Sequence, residues 1–173
     1  IGPFVTFPDS VSTSRTAVVT GLTNGSTYYF KVVAVNAVGL GETSAMSAGV
    51  VPAAVPSVPT SVSAARGDEL ATISWTAPAS NGATITRYTV TSNPGGLTCI
   101  WVSGPLSCDV VGLTNGTSYT FTVAATNSVG EGNPSSASQA VVPAAVPGMP
   151  TAVSGTSGNG SVSLTWLAPS SVG

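Results

Sequence analysis

Two cysteines, Cys99 and Cys108, are the residues best placed to do chemistry in this chain, because it has no histidine and few charges. Without an imidazole, the common catalytic triads, imidazole metal sites and most general-base schemes lack their central member. The six carboxylates, Asp9, Glu42, Asp68, Glu69, Asp109 and Glu131, are scattered along the chain. Only Asp68-Glu69 are adjacent, and the matching turn further on reads Asn159-Gly160, so the pair is read as a solvated turn rather than a cation site. Serines and threonines are abundant, but none has a base or a strand-turn-helix context to activate it. The expectation is a non-enzyme with no catalytic residue, no cofactor and no metal.

Cys99 and Cys108 have eight residues between them. They fall in two short strand-like runs, 98–102 and 107–110, read as a hairpin closed over 103–106 that sets the thiols opposite each other. A disulfide is the favoured reading, with buried free thiols or a two-ligand metal site as the alternatives. A bridge would imply an oxidising compartment and hence an extracellular or cell-surface protein. Trp101 lies two residues beyond Cys99, on the same strand face. It is a candidate platform for a sugar ring, unless it packs over the bridge or over the loop at Pro105. Tyr29 is the second candidate contact. With Lys31, Val33 and Val35 it makes a more apolar outer face than Thr120, Thr122, Ala124 and Thr126 make in the matching stretch, through ligand contact or through drift.

The elements that carry these residues are set by an internal repeat. Gly21 to Asn36 recurs almost verbatim as Gly112 to Asn127, Pro52 recurs as Pro143 and Trp75 as Trp166, always 91 positions on. About half of the aligned positions from 21–82 and 112–173 are identical. From Tyr119 the chain alternates, with Tyr119, Phe121, Val123 and Ala125 on one face, the period of a half-buried strand. Leu113 plugs the core before it, and Asn115-Gly116 supplies a turn. Other expected strands are 4–7, 16–20, 60–65, 70–75 and 85–92, with final strands ending near Val51 and Val142. Ala71, Ile73 and Trp75 share a face. Tyr88 and Val90 are expected on opposite faces, one core and one surface. The stretches 52–59 and 143–150 are proline-rich and read as semi-rigid linkers. Three Asn-x-Ser/Thr sequons, at Asn24, Asn115 and Asn159, coincide with Asn-Gly turns that account for them without a glycan.

Ten charged residues of mixed sign form no footprint for nucleic acid and no basic membrane patch. No run reaches the roughly 18–20 apolar residues of a spanning helix, so membrane insertion is not expected. The start, Ile1-Gly2-Pro3-Phe4, lacks the features of a secretory signal, and an excerpt from a longer protein is the simplest reading.

The motif Leu-x-x-Gly-x-x-Tyr-x-Phe-x-Val-x-Ala-x-Asn-x-x-Gly-x-Gly, a Trp followed by Ala77-Pro78, and a Tyr on the next strand resemble the fibronectin type III module closely. The resemblance implies an all-β protein of tandem immunoglobulin-like antiparallel sandwiches. It makes Trp75 and Trp166 the core tryptophans, pairs Leu113 with Tyr119 and Leu22 with Tyr28 as tyrosine corners, and makes 128–132 the loop between the last two strands. Some animal members carry Arg-Gly-Asp in that loop; here it reads Val129-Gly130-Glu131-Gly132, which removes the integrin reading. The charge-poor, Ala-, Thr- and Gly-rich style resembles bacterial surface and secreted modules. In this reading residues 1–53 are the C-terminal half of one module, 54–144 a complete one, and 145–173 the first two strands of a third. Val162, Leu164 and Trp166 are then expected to lack support.

The function expected is a structural spacer or interaction module in a long extracellular or surface repeat protein, its partners being the neighbouring modules of the same chain. The alternative is a carbohydrate-binding or adhesive module, with polysaccharide or another surface protein as partner, accessory to a polysaccharide-degrading enzyme. A third reading places catalysis elsewhere in a longer parent chain.

Overall fold

A computed structural model describes residues 5–6 and 14–170 as an all-β protein without helices. Its centre is a sandwich of two three-stranded antiparallel sheets. One is built from β3 (Thr60–Arg66), β4 (Leu70–Thr76) and β7 (Ser107–Val111), in the order β3-β4-β7. The other is built from β5 (Arg87–Asn93), β6 (Thr98–Trp101) and β8 (Thr120–Thr126), in the order β6-β5-β8. The alternation in the sequence decides which side chains meet between the sheets. Ala71, Ile73 and Trp75 from β4, Val110 from β7, and Phe121, Val123 and Ala125 from β8 are all buried. Leu113 and Tyr119 close one end. Each fully buried large apolar side chain contributes about 1.5–3 kcal/mol.

Tyr88 and Val90 are both buried, not divided between core and surface. Residues two apart in a strand share a face, and both stand on the inner face of β5. Tyr88 bridges two tryptophans, with ring centroids 5.2 Å from Trp75 and 5.2 Å from Trp101. Its burial raises the phenol above its usual value.

The expected final strand before Val142 is not a regular strand. It meets β8 at every third residue, as Ser135 N to Val123 O, Ser138 N to Phe121 O, and a Tyr119–Val141 bridge. Between those points the two serine hydroxyls stand in for backbone carbonyls: Val123 N donates to Ser135 Oγ at 3.0 Å and Phe121 N to Ser138 Oγ at 3.1 Å. Each hydroxyl in turn donates to the next residue's carbonyl at 2.8 Å. The first copy does the same with Ser44 and Ser47 against Val32 and Phe30. Ser138→Ala therefore strands a buried amide, and we expect a loss of about 1–3 kcal/mol in urea unfolding, with Ser135→Ala close behind.

The first copy is less regular than the second. Its strands are β1 (Val33–Val35) and β2 (Leu40–Thr43), paired with each other. The stretch 16–20 forms no strand. The matching β7 is held by β4, and among the described residues nothing plays the part of β4 or β5 for the first copy. The expected strand at 4–7 falls largely outside the described residues. At the other end, β9 (Thr151–Gly158) and β10 (Ser161–Leu167) form a hairpin matching β3-β4. Trp166 is 60% exposed, against 6% for Trp75, and Val162 and Leu164 are exposed as well.

Candidate functional site

The described residues contain no group of three or more metal-ligating side chains. The structure concentrates its polar side-chain bonding elsewhere, at the turns and loops that hold the linker. Tyr119 Oη accepts from Thr114 N at 3.1 Å, and Tyr28 Oη accepts from Thr23 N at 2.9 Å, so both tyrosine corners are formed. The Thr23 backbone amide, followed by its side chain, holds the Tyr28 phenol below its usual value. These bonds fix the turns at Asn24-Gly25 and Asn115-Gly116.

Each turn grips the end of its own repeat. Gly25 N donates to Pro52 O at 2.9 Å, and Gly116 N to Pro143 O at 3.0 Å. In the complete repeat Asn115 adds a second grip: its amide donates to Asp68 Oδ1 at 2.8 Å and its Oδ1 accepts from Glu69 N at 2.9 Å. The turn at Asp68-Glu69 is thus bonded to the turn at Asn115-Gly116 through the Asp68 carboxylate and the Glu69 backbone amide.

On the far side, the linker is bolted to the repeat that follows it. Ala54 N donates to Asn81 O at 2.9 Å, and Ser57 N to Ala79 O at 3.0 Å. Asn81 Nδ2 reaches Val55 O at 2.8 Å. Asn127 completes the clamp. It is 5% exposed, and its amide donates to Ala54 O at 2.8 Å and Ser80 O at 3.0 Å. Its Oδ1 accepts from Val129 N at 2.9 Å and Gly130 N at 3.3 Å. One side chain thus ties the linker to two loops. Asn36, its match, makes the corresponding bonds to Val38 N and Gly39 N. The motif contains this asparagine, but sequence reasoning gave it no role. The signal was there, in a polar residue ending an inward-facing apolar strand just before a glycine turn.

Cys99 and Cys108 are joined in a disulfide with Cα atoms 6.2 Å apart. The route differs from the expected hairpin. Cys99 sits opposite Val90 in one sheet and Cys108 opposite Ile73 in the other, so the bridge fastens the sheets together across the edge of the sandwich. The chain passes from β6 to β7 by changing sheets, which a run of short strands does not reveal.

Trp101 is half-buried rather than displayed. Its indole N–H donates to Pro105 O at 2.6 Å and its ring meets Tyr88 edge-on, at an interplanar angle of 70°. Tyr29 is 44% exposed, in the other repeat copy. A Cβ added to Gly49 would lie 3.2 Å from its ring, so the ring rests on that backbone. Trp101 ends β6 of the complete repeat, whereas Tyr29 precedes β1 in the first copy, so the two aromatics belong to different repeats.

Residues 56–141 match the model of the fibronectin type III domain family. A Kelch domain-containing protein of Saccharolobus solfataricus is 31% identical over 118 residues, covering 67% of this chain and 16% of that protein. Human myomesin-2 is 38% identical over 140 residues, covering 70% of this chain and 9% of that protein. A crystal structure of titin domains superposes with a TM-score of 0.49 at 26% identity, covering 67% of this chain and 40% of that one. The chain thus spans under a fifth of each of these two curated relatives.

Proposed function

With a fibronectin type III domain at residues 56–141 as the premise, we propose that this chain is part of a non-catalytic spacer in a repeat protein, in which the linkers hold successive modules at set positions. In this reading residues 1–53 are the C-terminal half of one module, 54–144 a complete module and 145–173 the opening strands of a third. The observation that carries it is the linker itself. Pro52 is held by the turn of its own repeat, and Ala54 to Ser57 by the loops of the next, so the proline stretch is a bolted strap and not a tether. The 91-residue register repeats the first half of that arrangement at Pro143.

The inter-sheet disulfide supports placement in an oxidising setting, in a secreted or surface-attached protein; the charge-poor, Ala-, Thr- and Gly-rich composition is what supports a bacterial style. The partners in this reading are neighbouring modules of the same chain. The test is small-angle scattering from a protein of three complete repeats. An elongated particle is expected, and a compact globule would remove the spacer reading.

A second reading, binding of polysaccharide or a surface protein through Trp101 or Tyr29, draws on their partly exposed rings. The hydrogen bond from Trp101 to Pro105 O and its edge-on contact with Tyr88 leave it less free to stack. Titration with a panel of soluble and insoluble polysaccharides is expected to leave tryptophan fluorescence unchanged. A saturable shift abolished by Trp101→Ala would install the binding reading instead.

A further inference from the structure

The loop Ser80–Gly82 lies against the turn of the preceding repeat at Asn24-Gly25, and two glycines meet there. A Cβ added to Gly25 would come 3.5 Å from Gly82 Cα. A Cβ added to Gly82 would come 2.5 Å from Pro52 O and 2.6 Å from Gly25 N, the two atoms of the hydrogen bond that ends the first repeat. Gly82 also has φ +92°, a backbone region that side chains rarely adopt. Two independent demands, conformation and space, therefore fall on this one position.

We propose that this glycine-on-glycine contact is the docking surface between consecutive repeats, and that its occupant is the loop before the third strand of the following repeat, carrying glycine at the position of Gly82. The proposal deepens the spacer reading and rests on it. Its partner is already seated in this chain. Pro52 belongs to the earlier repeat through Gly25, and Ala54 to the later one through Asn81, so Ala53 is the one linker residue between the two sets of bonds. A single-residue joint sealed by backbone contact leaves little room for bending.

The complete repeat presents the same surface at its own far end. Gly116 has φ +81° against +83° at Gly25, and donates to Pro143 O as Gly25 does to Pro52 O. A Cβ added at Gly116 would meet no described atom within 4 Å, and Gly173, the match of Gly82 that would seat there, lies outside the described residues. The residues around the filled seat, Asn24, Ser26, Ser80 and Asn81, are polar and uncharged. Docking there is therefore insensitive to salt.

The test is amide hydrogen exchange in this chain and in two variants. Gly82→Ala drives a methyl into the Gly25–Pro52 bond. Gly104→Ala is the control, because Gly104 has φ +97° and open space, so it carries the same backbone strain without the contact. The expected result is a fall in Gly25 protection of about tenfold in Gly82→Ala only, with the core amides of Val90 and Val123 still protected. Equal Gly25 protection in the two variants overturns the proposal. Should Gly82→Ala lose its core protection, the unmodified chain decides: Gly25, covered by Gly82, is expected to exchange more slowly than Gly39, which lies in the same repeat, is hydrogen-bonded to Asn36 O and has open space around it, and faster or equal exchange overturns the proposal. Failure of the spacer reading looks different: a three-repeat protein that is compact in solution while Gly82→Ala still exposes Gly25 would keep the seat and remove the rod.

Discussion

Replacing Asn127 by alanine is expected to lower the unfolding free energy by about 2–4 kcal/mol and to free the linker at Ala54. The size follows from what the side chain leaves behind. Ala54 O and Ser80 O lose the amide that donates to them, and Val129 N loses its acceptor, all around a residue that is 5% exposed. An unpaired buried polar group costs about 1–3 kcal/mol, and local rearrangement with water entry recovers part of the sum. Asn127→Asp separates the two ends of the side chain. It keeps an acceptor for Val129 N but sets a carboxylate against two carbonyl oxygens, so it should be at least as damaging as alanine. Urea unfolding followed by tryptophan fluorescence gives the stability, and exchange at the Ala54 amide gives the state of the linker. A change below about 0.5 kcal/mol, the usual range for surface substitutions, would show that the clamp does not hold the linker. The same change at Asn36, whose surroundings are exposed, should cost well under that at Asn127.

Removing the disulfide, by reduction or by the pair Cys99→Ala and Cys108→Ala, is expected to cost about 2–3 kcal/mol while leaving the sandwich folded. The sequence separation is 9, a short loop, so the entropy removed from the unfolded chain is modest. The interior does not depend on the bridge. Phe121, Ile73, Val90, Val110 and Val123 are fully buried between the sheets, whereas the bridge fastens the edge. The local effect should be confined to the sheet edge. With the bridge gone, β6 keeps its pairing to β5 but loses its fastening to β7, so the Trp101 indole bond to Pro105 should loosen. Denaturant unfolding with and without reductant measures the first effect, and the Trp101 emission maximum reads the second. Loss of all cooperative unfolding on reduction would contradict this account.

Much of the sandwich was legible in the sequence because its inner faces alternate, although Ala124, read as outward, is buried as well. β4 and β8 could be read residue by residue: Ala71, Ile73 and Trp75, then Tyr119, Phe121, Val123 and Ala125. The tyrosine corners were legible through the resemblance to the fibronectin type III module, which pairs Leu22 with Tyr28 and Leu113 with Tyr119, and the structure forms both. Three features were not. The change of sheet between β6 and β7 is a matter of tertiary topology, and the two strands have the same local pattern whether they pair or part. The last segment reads as a strand, yet Ser135 and Ser138 hold it at a period of three, a role that serines do not announce. The linker reads as a spacer of three prolines, while its orientation is set by Asn81 and Asn127, from 24 to 73 positions away. Long-range hydrogen bonds from neutral side chains leave no periodic trace.

The central claim is that the repeats are held in a fixed orientation to one another, and the growth of size with repeat number tests it most directly. Small-angle scattering from proteins of two, three and four complete repeats gives the radius of gyration of each. With linkers bolted on both sides, it should rise nearly in proportion to repeat number, and high salt should leave it unchanged. A rise close to the square root of repeat number, the behaviour of beads on flexible linkers, would contradict the account.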